Sequence, residues 1–379
     1  MEISPDIVVL SGGSGGANLA QGLVENLGHR RQAIIGATWD NGGSTGLLRD
    51  RAPEAVGDLR RIIDAVGQAD TTHLNTRFSS RDLSELDEAV AQFDQVVSVP
   101  GMAARQVGLT IDAAYRVGHE VNKASQRGIR GHTLGNFILA GLAQEQGILS
   151  AVRTLSIAVR AQADIYPAVI GPQEIEMDDG GVKIRGEHAI DTHSVQHPYD
   201  AYVYFREGVS PSSLAYQALS QARLVVAAPG SPYTSIAPGL RAFREALAEQ
   251  QARGGLFAGV ANLVNMPHDT GGWRVSDYAR THRNHARRPF DVILHNSNYQ
   301  DLPDAARNRA VQRHEPDEGE GSPQVISSNF VGHATVKDAN DSAVRTEVTH
   351  DKRALAEALE EILLTSGTTP RRATISVSS

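Results

Sequence analysis

The 379-residue chain reads as an α/β protein: a Rossmann-like, doubly wound and mostly parallel sheet with helices on both faces, a helical insert and a small β-hairpin excursion. Three observations predict it. Short aliphatic runs recur at Ile7–Leu10, Ala33–Ala37, Leu155–Val159, Leu224–Ala227, Leu256–Ala261 and Asp291–Leu294. They are apolar throughout instead of alternating, as strands buried on both faces are. Each leads into a glycine or asparagine turn and then a helix-like pattern, the order that builds parallel strands with crossover helices. In such a fold ligands lie beyond the carboxyl ends of the strands, so the turns are where chemistry is expected.

The first run is followed by Ser11, Gly12, Gly13, Ser14, Gly15, Gly16, Ala17 and Asn18, then by a helix-like Leu19–Val24. A strand that ends in glycines and turns into a helix brings bare N–H groups and the positive end of a helix dipole to one point, which suits a phosphate. The strict dinucleotide fingerprint fails in both registers. Counted from Gly13 its sixth place is Asn18, and counted from Gly12 its third place is Ser14. An NAD-dependent dehydrogenase is therefore disfavoured, and no Gly-Lys-Ser or Gly-Lys-Thr completes a Walker loop.

The second run ends in Asp40, Asn41, Gly42, Gly43, Ser44 and Thr45. The first two strands of a doubly wound sheet commonly adjoin, so this turn is expected to face the first across one crevice. Asp40 is a candidate for ribose hydroxyls, Mg²⁺ or a proton; the alternative is a helix cap. Asp58 and Arg60 follow Gly57, either as a surface ion pair or helix cap or with Arg60 clamping a phosphate. His132 and Asn136 flank Gly135 at the head of the apolar Phe137–Leu142; they share a face if both are helical, the alternative being packing glycines with His132 as a cap. Gly230, Ser231, Tyr233, Thr234 and Ser235 follow the fourth run as a second anion site or a Pro-Gly turn with a hydroxyl cap. Asn262 to Trp273 follow the fifth, with Trp273 either lining a base or sugar pocket or packing in the core.

Residues 68–130 read as a mainly helical insert or lid, with Ser80 capping an amphipathic helix. Residues 173–205 read as a hairpin excursion turning at Asp178–Gly181. The acidic stretch 313–323 reads as a surface loop. The whole of 1–379 is taken as one domain. The basic stretch Arg280–Arg288 is either a solvated helix face with its exit loop or a phosphate contact.

Composition narrows the function classes. With 40% hydrophobic residues the chain can bury a sizeable core. It has no cysteine, which excludes disulfides, thiolate zinc and a cysteine nucleophile. A net charge of -8 argues against bulk nucleic-acid binding. The amino terminus does not resemble a signal peptide, and no run of 18 apolar residues occurs, so a soluble, cytoplasmic protein without membrane insertion is expected. His193 and His197 stand four apart, but Pro198 argues against a helix and hence against zinc. No Gly-x-Ser-x-Gly elbow is present.

Taken in order, Gly12–Gly16, Asp40–Ser44, Gly57–Arg60, Gly131–Asn136, Pro229–Ser235 and Asn262–Trp273 resemble the superfamily that joins the 2-phospho-L-lactate transferases (CofD-like) to the gluconeogenesis-factor (YvcK-like) proteins. Arg185-Gly186-Glu187 also fits, because the group usually has a Gly-Glu there. The Asp-x-Gly-Gly-Ser and Pro-Gly-Ser-x-Tyr-Thr-Ser turns are more similar to the gluconeogenesis-factor branch. That branch implies binding of a nucleotide sugar such as UDP-N-acetylglucosamine and a role in carbon metabolism, cell-wall supply and cell shape. The transferase branch implies moving a phosphorus-linked group from a nucleoside diphosphate to a deazaflavin, with Mg²⁺. Both imply diphosphate at the glycine loops. The chain departs from the group at Asn41, where a second aspartate is usual, between Asp58 and His132, where it is longer, and at Thr349-His350-Asp351, where Arg-His-Asp is common.

The expected site therefore comprises Gly12, Gly13, Ser14, Gly15, Gly16, Asn41, Gly42, Gly43, Ser44, Asp58, Arg60, His132, Asn136, Gly230, Ser231, Tyr233, Thr234, Ser235, Asn262 and Trp273 around the ligand. Asp40 is catalytic only in the transferase reading, and Asp40 with Asp58 is the candidate Mg²⁺ pair. No other cofactor is expected. The partner expected is a nucleotide or nucleotide sugar; a homo-oligomer is left open.

Overall fold

Seven parallel strands lie in the order β10-β9-β8-β7-β1-β2-β3. They are β1 (Ile7–Ser11), β2 (Gln32–Gly36), β3 (Asp164–Pro167), β7 (Leu224–Ala227), β8 (Leu256–Val260), β9 (Val292–Asn296) and β10 (Gln324–Ser328). The computed structural model describes residues 4–49, 52, 54–69, 72–75, 77–97, 104–198, 200–313, 322–334 and 348–365. The acidic stretch at 314–321 lies outside them.

All five residues of β1 and of β2 are buried. Their side chains alternate between two cores. Ile7, Val9, Ile34, Leu224 and Val226 join the helices Gly13–Asn26, Gly57–Val66 and Lys352–Thr365 on one face. Val8, Leu10, Ile35, Val225 and Ala227 join the helices Ser213–Gln221, Arg244–Ala252 and Val275–Ala286 on the other. Covering both faces is what allows a strand to be apolar at every position. Among the described residues no helix is long and apolar enough to cross a membrane.

Five of the six expected runs are strands. The sixth, Leu155–Val159, is the end of a helix, Ile148–Ala158. Its buried residues Ile148, Ala151, Val152, Leu155 and Ala158 recur at three- and four-residue steps, so the apolar face has helical period although its last turn alone looks like a strand. The strand of this region is the short β3, whose central Tyr166 is only half-buried, and β10 is an edge strand with one buried residue. Neither has the continuous apolar run that marks the others.

Leu83–Val97, Ala104–Ala124 and Leu134–Gln146 form the helical region. Leu86, Phe93, Val117 and Phe137 belong to the same core cluster as Ile7 and Val9. The hairpin excursion is a three-stranded antiparallel sheet, β5-β4-β6, of β4 (Ile175–Asp179), β5 (Val182–Arg185) and β6 (Tyr202–Phe205), with a short helix, Glu187–Thr192, between the last two. Its two-residue turn uses Gly180 and Gly181, both at positive φ (62° and 95°), as a tight hairpin matched to strand twist requires. Two further strands, β11 (Val331–Ala334) and β12 (Val348–His350), pair antiparallel.

The basic stretch is a solvated helix face in part, with Arg283, Asn284 and Arg287 exposed; its other members turn inward. His282 and His285 are buried on the helix Val275–Ala286, and Arg288 is buried beyond it. The Arg288 guanidinium donates to the carbonyls of Leu247 (3.0 Å) and Gly255 (2.8 Å) and to Asp291 Oδ2 (3.0 Å). It ties the helix Arg244–Ala252 to the starts of β8 and β9 rather than facing solvent or a phosphate.

Candidate functional site

Leaving β1, the sheet continues through β2 and β3 on one side and through β7 to β10 on the other. The crevice between β1 and β7 is therefore a topological switch point, where the loops following the two strands diverge and leave a gap. A cavity of about 380 Å³ opens there, within the size range of small-molecule sites.

The β1 loop enters it directly. Gly12, Gly13, Ser14 and Gly15 line the cavity and begin the helix Gly13–Asn26, which has no side-chain cap at Gly12 and no acidic residue in its first turn. Its first N–H groups have no partner one turn back, so they and the helix dipole are available to an anion. Gly13 has φ +72°, and a Cβ on Gly15 would lie 2.4 Å from the Pro229 carbonyl oxygen. The glycines thus let the β1 and β7 loops touch. Asn262, after β8, fastens the second loop: its Oδ1 accepts from the Gly230 N–H and its Nδ2 donates to the Gly230 carbonyl, both at 2.9 Å. Gly230, Ser231, Thr234, Ser235 and Asn262 all line the cavity.

Toward β2 the cavity is acidic. Asp40, Asp58, Glu187 and Asp191 line it. Asp40 Oδ1 accepts from the Gly42 N–H at 2.7 Å, and its carboxyl shares a hydrogen bond with that of Glu187. Burial, reinforced by Asp58, raises the Asp40 carboxyl above its ordinary range. Burial, with Asp40 as the second cause, pushes Glu187 up to about 9. Two half-buried carboxyls in contact cannot both be charged cheaply, so the pair holds a proton at neutral pH. Asp58 is neutralised by Arg61 at 2.6 Å. Hard oxygen donors of this kind suit Mg²⁺, which takes one or two carboxylates and fills its remaining positions with phosphate and water. Among the described residues no group of three or more His, Asp or Glu is arranged to hold a metal by itself; ligand oxygens would have to complete the shell.

Toward β8 the cavity carries Ser231, His268 and Asp269. Ser231 Oγ accepts from the Thr234 N–H at 3.3 Å and donates to Asp269 Oδ2 at 3.2 Å. Burial raises the Asp269 carboxyl.

The cavity gathers thirteen of the expected residues: Gly12, Gly13, Ser14, Gly15, Asp40, Gly42, Gly43, Asp58, Gly230, Ser231, Thr234, Ser235 and Asn262. The others stand behind it. Gly16 lets the helix approach Ser11, and Asn41 Oδ1 accepts from the His188 N–H (2.8 Å), tying the β2 loop to the excursion. Ser44 sits in the short helix Gly43–Gly46. Arg60 is buried, and its Nε donates to Asn136 Oδ1 at 3.0 Å. Burial, then the neighbouring Arg61, lowers Arg60 to about 9. His132 precedes the helix, which begins at Leu134 with Thr133 as its cap, and stacks on Phe137. His132 and Asn136 therefore do not share a helix face. Tyr233 and Trp273 are core residues packed edge to face at 5.8 Å, with the Tyr233 hydroxyl donating to the Pro198 carbonyl. His193 and His197 both approach Asp179, at 2.8 and 3.4 Å.

Sequence reasoning missed Asn18, Trp39, Arg61, Arg77, His188, Asp191, Asp269 and His350, which also line the cavity. Asp269 lay inside the stretch singled out for its amides. Glu187 stood beside the recognised Gly186, but nothing local shows that the excursion folds back over Asp40.

The topology and the cavity together define a doubly wound α/β protein with its candidate ligand site at the switch point. The chain belongs to the CofD family, whose model, described as 2-phospho-L-lactate transferase CofD, matches residues 7–331. It is 27% identical over 323 residues to a putative gluconeogenesis factor of Deinococcus radiodurans, a match covering 83% of this chain and 56% of that protein, so it spans little more than half the length of that relative. It is 26% identical over 295 residues to the gluconeogenesis factor of Listeria innocua, covering 76% of each chain. It is thus a gluconeogenesis-factor-like member of the family. A crystal structure of a UPF0052-family protein from Bacillus halodurans superposes with a TM-score of 0.69 over 95% of this chain and 100% of that one, at 19% identity; it shares the fold.

Proposed function

We propose that the protein binds a nucleotide sugar of the UDP-N-acetylglucosamine type in the switch-point crevice and acts as a binding factor of the gluconeogenesis-factor kind, in the cytoplasm. The observation that carries this reading is the meeting of the β1 and β7 glycine loops, held together by Asn262, with a polar wall on either side. A diphosphate bridges two organic groups. A central anion cradle flanked by the Asp40 and Asp269 walls matches that layout. Mg²⁺, when bound, offsets phosphate charge, and Asp40 with Asp58 would hold it.

The acidic wall also favours a second reading, a transferase on the same cavity. Here Asp40 would position Mg²⁺ or accept the proton of an attacking hydroxyl, and Arg61 would offset charge on the transferred group. Turnover lost in Asp40→Asn, with nucleotide binding retained, is the result expected of a transferase.

A thermal-shift panel of nucleotides with and without Mg²⁺ tests the proposal, because a ligand bound only by the native state raises its stability. Stabilisation by UDP-N-acetylglucosamine is expected. Gly13→Asp is expected to abolish it at a cost of about 1 to 2 kcal/mol of unliganded stability: a Cβ there meets nothing within 4 Å, but the φ of +72° strains any side chain, aspartate less than most. Ser231→Glu is expected to abolish it as well by crowding the cavity, and to lower the unliganded melting temperature, because it removes the cap on the Thr234 N–H and sets a second carboxylate beside Asp269. Unaltered binding in both variants would overturn the reading.

A further inference from the structure

The β8 wall is chemically unlike the β1 loop. Asp269 is only 7% exposed, yet it borders the cavity. Its Oδ2 accepts from the Ser231 hydroxyl at 3.2 Å and its Oδ1 from the Thr270 hydroxyl at 3.1 Å. Among the described residues no arginine or lysine forms an ion pair with it, and none is among the main influences on its charge. A carboxylate has about four acceptor positions, so two hydroxyls leave it under-satisfied in a place where desolvation is costly.

Two donors of this wall are already engaged. The Gly230 N–H is committed to Asn262 Oδ1, and the Ser231 hydroxyl hydrogen to Asp269. A phosphate placed there would meet a carboxylate that no arginine or lysine among the described residues neutralises. A neutral group bearing hydrogen-bond donors would fill the vacant acceptor positions instead.

We infer that Asp269 is a specificity-determining residue that reads a pair of vicinal hydroxyls on the ligand's sugar, with Ser231 and Thr270 orienting its carboxylate, while the diphosphate rests on Gly12–Gly15. This rests on the nucleotide reading above and assigns one end of that ligand. The hydroxyls belong either to the ribose or to the hexose, and both present the same chemistry to a carboxylate.

Calorimetric titration of the wild type and Asp269→Asn with UDP, GDP, their 2′,3′-dideoxy counterparts and UDP-N-acetylglucosamine tests it. If the ribose is read, the wild type loses at least about tenfold in affinity for the dideoxy ligands, the scale of a hydrogen bond to a charged group. If the hexose is read, UDP-N-acetylglucosamine exceeds UDP by the same factor. In either case Asp269→Asn removes the preference while still binding the ligand that lacks those hydroxyls. A wild type with neither preference, or a variant that weakens every ligand equally, overturns the inference and leaves nucleotide binding standing. No binding of any nucleotide by the wild type removes the underlying reading as well. The ligand-side deletions act on the wild-type protein, so the result holds even where the variant is unstable.

Discussion

Three buried histidines show how much of this chain's charge behaviour is set by single side chains. His285 donates from Nδ1 to the Thr281 carbonyl (2.8 Å) and accepts the Val203 N–H at Nε2 (3.0 Å), so both nitrogens are used by the neutral ring and a second proton has no place. Among the described residues His282 has no hydrogen-bond partner on either nitrogen. Burial lowers His282 to about 3 and His285 and His350 to about 4, against an ordinary 6.5. A depressed folded-state pKa means that the unfolded chain binds more protons below 6.5. The contribution to stability is then complete above about pH 6.5 and is lost as pH falls toward 4. Each group costs about 1.4 kcal/mol per pH unit once well below 6.5. Urea midpoints measured from pH 7.5 to 5 are expected to fall steeply, and His282→Leu is expected to reduce the slope by one proton; an unchanged slope would show that His282 titrates normally in the fold.

At the scale of elements, the glycines of the β1 loop divide into two kinds. Gly13 faces open space, but a Cβ on Gly16 would lie 1.9 Å from Ser11 Oγ and 3.0 Å from Ser11 Cα. The hydroxyl can rotate away and the backbone cannot. Gly16→Ala is therefore expected to cost about 1 to 3 kcal/mol of stability by overpacking the strand against its helix, in contrast to the binding defect of Gly13→Asp. A Gly16→Ala protein that melts like the wild type would contradict this close packing. Both glycines read alike in the sequence, because periodicity reveals a turn but not which face of it meets backbone. The same limit explains what was legible. Strands buried on both faces, such as β1 and β7, declare themselves by continuous apolar runs. The short β3 and the edge strand β10 do not, and the end of the helix Ile148–Ala158 imitates a strand. Arg60, His132 and Asn136 carried chemistry-bearing side chains near glycines, yet their place is set by helices that pack behind the cavity.

At the scale of the whole molecule, the site is assembled from parts far apart in sequence. The β1, β2, β7 and β8 loops were found in order along the chain, because a doubly wound sheet brings its strand ends to one edge. The walls that close the cavity come from long-range contacts that local pattern cannot supply. Glu187 arrives with the three-stranded excursion, and Val348, Thr349 and His350 arrive with β12. Asn18 Nδ2 donates to the His350 carbonyl (2.8 Å), and His350 Nε2 meets the Ala261 carbonyl (3.1 Å); β12 thereby joins the β1 helix to the end of β8. Diphosphate binding at this meeting point is most directly tested by a crystal structure of the complex with UDP-N-acetylglucosamine. The expected result is a phosphate oxygen about 3 Å from backbone nitrogens of the Gly13–Gly15 turn, with the sugar and nucleoside ends lying along the Asp40 and Asp269 walls. A diphosphate bound away from the β1–β7 crevice would contradict it.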